Sequence, residues 1–512
     1  MKIKPIVNPQ NSADDIFNLS VEKAEVFKDQ NGECYCVIGN EVLYFSNVEA
    51  IQNRLRNLYF CKFNKTVKNA EIKTAFETLL CCAENCNDVV PVAVRIYRDG
   101  NTIYYDLCDK ENHVVKCGIN LHKIVTLKGQ QFFFKRENTM KSQVIPNMDA
   151  DITKSFELLS SFFNIDKNQN LLFIAYIVAA FIPDISHPIL IIEGEKGAGK
   201  TTLQRNISSI IHPISKDVFV LPVDINNLVT VLSNNYYCAF DNIGTISPDV
   251  CNVLCQAVTG GSLSKRKLYS DNTEISINLR RLVALNGISM HIKQSDLMDR
   301  SIMVRLNRID SFKRSTEESL KKDFQTALPD ILGAIFQIIS KTLIRLDKVK
   351  LKKLPRMADF AKYGYCIAES IQKGLGDEFI KQYEQNQQFA TESIVGDNPV
   401  LECVKHIQEQ EGYWKGTMTQ LLHKMNEILP ELYISRRLPH NFPTGASVLS
   451  RRLSTYKHDL EMLGINVEIG RGTDRYVIIG NPQEANDTVD VDDAVDTDDI
   501  NNNSNLEVLN ND

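Results

Sequence analysis

Along the first 150 residues, apolar and polar positions alternate with a period of two. The short runs lie at Glu33 to Val37, Glu41 to Phe45, Val92 to Tyr97, Thr102 to Leu107, Val114 to Cys117 and Gln131 to Lys135. That period sends successive side chains to opposite faces, so each run predicts a half-buried strand. One helical stretch near Val48 to Leu58 interrupts them, and residues 1–150 are expected to form an α+β accessory domain. The pattern then changes. Asp151 to Pro183 predicts two helices, the second containing the apolar run Leu171 to Ile182, which is apolar on every side and therefore buried. It stops at Pro183, too short to span a bilayer. Ile189 to Glu193 is a continuously apolar strand running into a glycine-rich turn, after which strand-like and helical segments alternate to about Asn307. Such alternation predicts an α/β core with a parallel sheet over residues 151–310. Helical periodicity from Ser311 to Gln388 predicts a lid or collar over 311–397, and a last compact unit occupies 398–481.

Composition bounds this picture. A chain of 512 residues exceeds what one core supports, and 43% hydrophobic with 24% charged residues is the composition of a soluble globular protein, not of a membrane or disordered one. The formal charge of −6 argues against a nucleic-acid partner until its distribution is read. Residues 481–512 hold ten Asp or Glu and no Lys or Arg, so the rest of the chain carries +4. Residues 482–512 have almost nothing to bury and are expected to be a disordered acidic tail. Thirteen cysteines without a secretory signal predict free thiols in a reducing cytoplasm. Cys81, Cys82, Cys86, Cys108, His113 and Cys117 make a zinc site conceivable, but no paired CxxC is present and buried thiols are the preferred reading. Asp106 and Asp109, three residues apart, fall on opposite strand faces and so do not form a primase-like carboxylate cluster.

The segment Gly194-Glu195-Lys196-Gly197-Ala198-Gly199-Lys200-Thr201 fits the P-loop pattern, with an apolar strand before it and a helix-compatible stretch, Thr202 to Ile211, after it. Its glycines let backbone N–H groups turn toward phosphate oxygens at a helix N-terminus. Lys200 would reach the β- and γ-phosphates of ATP, and Thr201 would hold Mg²⁺. Tyr236 to Asp241 supplies a strand with a carboxylate at its tip, so Asp241 is the second expected Mg²⁺ ligand. Asn242 follows it, an amide that can orient water but not deprotonate it. The strand Arg281 to Leu285 ends at Asn286, a polar tip able to contact the γ-phosphate. Between these strands, Gly260 to Tyr269 and the run Glu274 to Leu279 read as a hairpin whose Lys265, Arg266, Lys267 and Tyr269 could grip phosphates and stack on a base, or form a solvated charged edge. Arg300 precedes the strand Ser301 to Leu306, where it could reach a neighbouring subunit's γ-phosphate or pair locally with Asp299. In the last unit, Val400 to Gln410, Thr417 to Ile428 and Ser447 to Leu463 read as helices, and Ile465 to Ile469 and Arg475 to Ile479 as a two-stranded ribbon. This is a winged-helix pattern, with Arg451, Arg452 and Lys457 on the third helix and Arg471 and Arg475 flanking the wing. Ten basic residues against nine acidic ones leave a protein-contact role for this unit open.

The nucleotide is expected on the loop Gly194 to Thr202, and taken in order Gly194 to Thr201, Asp241-Asn242, Gly260 to Tyr269, Asn286 and Asp296 to Arg300 resemble a superfamily 3 helicase core within the AAA+ class. More narrowly they are similar to the helicase-like ATPases of prophages and mobile elements, as is Pro355 to Phe360. The resemblance implies a hexameric ATP- and Mg²⁺-dependent DNA helicase or translocase acting in replication on single-stranded or forked DNA. Lys200 and Thr201 would then bind nucleotide and metal, Asp241 Mg²⁺ and Asn286 the γ-phosphate. Arg300 would be the trans-acting arginine and Lys265 to Lys267 would face DNA. Asn242 departs from the Asp or Glu usual in that superfamily. Two rivals remain: an ATP-switched initiator or loader that binds DNA without processive unwinding, and a phosphotransferase acting on a small molecule.

Overall fold

The computed structural model describes residues 3–7, 9–22, 24–39, 41–129, 131–266, 274–287, 294–307, 316–351, 353–396, 398–432, 442–471 and 475–480. These fall into two compact units, Met1–Ile394 and Val395–Asp512.

The first unit opens with helix α1 (Ser12–Val21) and an antiparallel sheet of β1 (Ala24–Lys28), β2 (Cys34–Ile38) and β3 (Glu41–Tyr44). Helices α2 (Val48–Phe63) and α3 (Asn69–Glu84) follow. Ile16 and Phe17 of α1, Ile51 and Leu55 of α2, and Ile72, Phe76 and Leu79 of α3 close a local core over the sheet. The sequence reading names only α2, although α1 buries Ala13, Ile16, Phe17, Ser20 and Val21 and α3 buries Ile72, Ala75, Phe76, Leu79 and Ala83, spacings that follow the helical period and were there to be read.

Beyond them, β4 (Val92–Ala93) pairs with β9 (Phe133–Phe134), and β5 (Ile96–Asp99), β6 (Thr102–Asp106), β7 (His113–Gly118) and β8 (Leu121–Thr126) form an antiparallel meander. The single strand expected over Val92 to Tyr97 is two, divided at Arg95, whose φ of 71° lies in the left-handed region. The turn carries the Arg95 guanidinium inward, where it donates to the carbonyls of Asp106 (3.0 Å), Lys141 (3.0 Å) and Pro213 (3.1 Å) and meets His212 Nδ1 (3.3 Å).

The centre of the unit is a four-stranded parallel sheet flanked by α4 (Ile152–Ser161), α5 (Asn170–Ala179), α6 (Lys200–Ile211), α7 (Ile225–Asn234) and α8 (Pro248–Thr259). Its strands in spatial order are β11 (Tyr237–Phe240), β14 (Leu282–Asn286), β10 (Ile189–Gly194) and β15 (Ser301–Leu306). Phe219 bridges Phe240 in parallel at the β11 edge. Strands β12 (Ser262–Arg266) and β13 (Glu274–Asn278) pair as the expected hairpin, and the short helix α9 (Ser295–Met298) leads into β15. Helices α10 (Glu317–Arg345), α11 (Ala358–Ile371) and α12 (Leu375–Gly396) complete the unit.

Helix α10 is long and apolar enough to cross a membrane, but 72% of that stretch is buried inside the protein, as befits a core helix. It packs against α4, α11 and β7. One continuous core joins Ile103, Tyr105, Val115 and Cys117 of the meander to Phe181, to Leu190 and Ile192 of β10, and to Phe336 and Ile339 of α10. The hydrophobic core therefore does not divide at residue 150. Gly333 of α10 is packed so tightly on the preceding segment that a Cβ there would lie 1.7 Å from the Asn147 carbonyl oxygen.

The second unit runs α13 (Pro399–Glu411), β16 (Trp414–Thr417), α14 (Met418–Leu432), α15 (Ala446–Met462), β17 (Val467–Arg471) and β18 (Arg475–Ile479). Its sheet has three strands in the order β16, β18, β17, not the two read from sequence. β16 was hidden because four residues, one of them Gly416, are too few to display alternation. Residues 482–512, the expected acidic tail, lie outside the described residues.

Candidate functional site

The C-terminal end of β10 turns directly into the glycine-rich loop, and α6 begins at Lys200. Gly194 sits at φ 153°, where a Cβ would press on Leu306 O at 2.9 Å, so the loop leaves the sheet through a position only glycine fits. Gly199, at φ 87°, is the N-cap of α6 and has no side chain to cap it, which leaves the first-turn N–H groups directed at whatever occupies the loop. The Lys200 ammonium folds back across the loop, donating to the carbonyls of Gly194 (2.6 Å) and Glu195 (3.0 Å). Burial draws its pKa below the usual lysine range, opposed by the nearby Asp241 carboxylate. Glu195, Lys196 and Gly197 are exposed at the loop crest, and Ala198 is buried beneath it. Thr201 and Thr202 are half-buried on the first turn of α6.

Three strand tips converge here. Thr201 Oγ1 donates to Asp241 Oδ2 at 3.0 Å, bringing together a hydroxyl and a carboxylate forty residues apart. These hard oxygens are the residues that could hold a small divalent cation. Asn242 follows with φ 57°, a left-handed conformation that asparagine tolerates, and its side chain is exposed. Asn286, at the tip of β14, is 2% exposed and its amide is engaged on both sides. Its Oδ1 accepts from the Asn242 backbone at 3.3 Å, and its Nδ2 donates to Gln204 Oε1 at 2.6 Å. Gln204 in turn donates to Phe240 O at 3.0 Å. The network therefore fixes the Asp241-Asn242 turn, with Asn286 acting as a brace. Gln204 was missed from sequence, although its place one helical turn after Lys200 puts it on the same face of α6.

Arg300 lies at the other end of the sheet. β10 and β15 run parallel with Ile189 opposite Ser301 and Gly194 opposite Leu306, and Ile189 N donates to Arg300 O at 2.8 Å. Six residue steps of strand, roughly 20 Å at 3.3 Å per residue, separate Arg300 from the glycine loop. The local Asp299 partner suggested by sequence is corrected: Arg300 Nη1 pairs with the Asp296 carboxylate and also donates to Asp296 O at 2.9 Å, while Asp299 takes Arg356 at 3.0 Å. Asp296 projects one turn before Arg300, whereas Asp299, as a chain neighbour, points away.

The remaining candidates separate. β12 carries Lys265 and Arg266 in its backbone, but Lys267 and Tyr269 lie outside the described residues. Arg451 and Lys457 are exposed on α15, with Lys457 3.7 Å from Glu461, and Arg452 is half-buried. Arg471 ends β17 and Arg475 begins β18. None of the thirteen cysteines is in a disulfide; Cys86 and Cys117 are buried against the Val26 and Phe336 carbonyls, and Cys81 is exposed. Among the described residues, Asp109, Glu111 and His113 do come together, but Asp109 is already engaged by His113 Nδ1 at 2.6 Å. Asp106 is buried in an ion pair with Arg136 at 2.6 Å, which agrees with the non-catalytic reading of that strand end.

The described residues thus define a mixed α/β protein with a glycine loop, a hydroxyl–carboxylate pair and a braced turn at one end of a parallel sheet. Residues 156–378 match the family model of the actinomycete integrative conjugative element replication protein. Residues 398–492 match the model of the AICE RepA C-terminal domain. In class, the chain is a replication protein of a mobile element. Comparison with curated proteins gives no match. Among solved structures, an apo structure of the NrS-1 C terminal region (305-718) is similar at 15% identity and a TM-score of 0.40, over 91% of this chain and 99% of that one. An A form apo structure of the same region is similar at 16% identity and a TM-score of 0.39, over 91% and 98%.

Proposed function

We propose that this replication protein is an ATP-dependent DNA helicase or translocase working as a ring of identical subunits, with six the expected number. The observation that carries the reading is the 3.0 Å contact between Thr201 and Asp241 at the mouth of the glycine loop. In a P-loop ATPase that pair holds Mg²⁺, while the loop amides and Lys200 take the phosphates. The residues present fit both groups: the N-cap of α6 is bare, the loop is glycine-built, and Lys200 rests on backbone carbonyls it can exchange for phosphate oxygens. Strand order adds support, because β14 stands between the loop strand and the Asp241 strand and presents Asn286 between the two.

The distance of Arg300 from its own loop favours the ring. A residue at the opposite end of the strands is too far to touch the nucleotide of its own chain, so a phosphate-binding role for it calls for a neighbouring subunit. In the second unit, the order helix, strand, helix, helix, strand, strand supports a winged helix, with Arg451 and Lys457 exposed on its third helix toward DNA.

The rival reading, an initiator or loader switched by ATP without processive unwinding, is favoured by Asn242, which offers no proton acceptor where a base is expected. ATPase assays with and without single-stranded DNA, combined with strand displacement on a forked duplex, test both. DNA-stimulated hydrolysis with displacement is expected. Stimulated hydrolysis without displacement would select the loader, and no hydrolysis in a folded protein that binds no ATP would end the ATPase reading.

A further inference from the structure

At the N-terminal end of the parallel sheet, two guanidiniums share one carboxylate. Asp296 accepts from Arg300 through Oδ2 and from Arg356 through Oδ1, and Arg356 Nη1 also donates to Asp299 Oδ2 at 3.0 Å. Arg356 stands two residues before α11, fifty-six positions after Arg300, so two separate segments deliver their arginines to one place. Beside them opens a cavity of about 220 Å³, lined by both arginines, by Ser186 and Thr259, and by the first residues of α11. The side chain of Arg356 is 42% exposed against 19% for Arg300. Ion pairs this exposed add little to stability, so the double anchorage of Arg356 orients it more than it stabilises the fold.

We propose that Arg356 is a second arginine acting in trans, forming with Arg300 a clamp for the terminal phosphate of the nucleotide held by the adjacent copy of the chain. The inference rests on the proposed ring ATPase and adds a residue to it. A transferring phosphoryl group spreads charge over three equatorial oxygens. One planar guanidinium can engage two of them, and a second, arriving from another segment, completes the set. In the separate protomer Asp296 and Asp299 pair with both arginines and Asp359 also lines the cleft, so the cleft has no excess positive charge until a neighbour's phosphate displaces the paired carboxylates. Burial raises the Asp296 pKa, but the hydrogen bond from Arg300 and the charges of Arg300 and Arg356 outweigh it and hold the group below the usual carboxylate range. Asp296 therefore stays ionised at neutral pH and competes with the incoming phosphate.

The test is subunit complementation with the full chain, scored by ATPase rate and by binding of a fluorescent ATP analogue, with subunit exchange verified by energy transfer between labelled copies. Arg356→Ala is expected to bind the analogue normally and to lose on the order of 10²-fold in turnover. Mixed with Lys200→Ala it should regain part of the activity. Mixed with Arg300→Ala it should regain none, because both lesions lie on the same face. Arg356→Lys, which keeps the charge for Asp296 but loses the planar fork, should recover little. Wild-type turnover in Arg356→Ala, or full turnover in Arg356→Lys, would overturn the clamp. Arg300→Ala mixed with Lys200→Ala is the control: if that pair gains nothing despite exchange, the trans reading of Arg300 fails and takes the clamp with it. If that pair is rescued and Arg356→Ala is not defective, the clamp alone is wrong.

Discussion

The two ends of the parallel sheet are built differently. At the C-terminal end, Lys200 is bonded to the loop carbonyls, Thr201 to Asp241, and Asn286 to Asn242 and Gln204, all within one chain at 2.6 to 3.3 Å. At the N-terminal end, Arg300 and Arg356 are held by half-exposed carboxylates beside an open cavity. On the proposed reading the first arrangement holds the nucleotide of its own chain, and the second acts on that of a neighbour. Binding and turnover should therefore separate along the strands, and that separation is open to attack from either end.

The largest effect is expected from Lys200→Ala. With no ammonium opposite the phosphates, ATP analogue binding and hydrolysis should both fall to background while circular dichroism is unchanged. A folded variant with normal ATPase would remove the C-terminal end from the nucleotide site. Next comes Arg300→Ala, which should reduce turnover by roughly 10³-fold with analogue affinity nearly intact, since the lost charge acts chiefly in the transition state. Equal losses in affinity and turnover would erase the contrast between the ends.

A third effect is a matter of pH. His187, two residues before β10, is fully enclosed, with Nε2 2.9 Å from Ile182 O and Nδ1 without a hydrogen-bond partner. Burial lowers its pKa to about 4; the Ile182 carbonyl and Asp184 oppose this and Arg280 adds to it. The ring is thus neutral in the fold and takes up a proton more readily when unfolded. Stability should be full above pH 6.5, fall as pH drops toward 4 and level off below, by about 3 kcal/mol at most from this group. His212, at the end of α6, shifts in the same direction and adds to the slope. Urea midpoints across that window should flatten in His187→Gln; an unchanged slope would remove His187 from the account. The smallest effect belongs to Asn242→Glu. A carboxylate there should raise turnover about tenfold if the position serves the attacking water. The left-handed backbone, φ 57°, should meanwhile cost about 1 kcal/mol in stability. Lower turnover would put the proton acceptor elsewhere.

What the sequence discloses follows the range of the interactions involved. The glycine loop, the Asp241 tip and the apolar parallel strands are local patterns, and each is found within a residue or two of its expected place. Asn286 was placed correctly at a strand tip, but its role as a brace depends on Gln204, eighty-two residues earlier. Arg356 was noticed only as part of a resembling motif, since nothing in its neighbours signals that Asp296 lies beside it. The hydrophobic continuity across residue 150 was likewise invisible. Period-two alternation announces that a strand has a buried face without saying which helix covers it.

That coverage bears on how the chain comes into being. Cys117 donates to the Phe336 carbonyl, Ser340 Oγ donates to Gly118 O, and Leu121 N donates to Ser340 Oγ, pairings that span about 220 positions. At roughly 5 to 20 residues per second, a ribosome needs on the order of 10 to 40 s between making β7 and making the helix that shelters it. Through that interval the inner face of the meander, with Ile103, Tyr105 and Val115, has no α10 to rest on. A fragment ending near residue 310 would keep the contact of Tyr105 with Phe181 but lose that with Phe336, and should expose more apolar surface than the full chain.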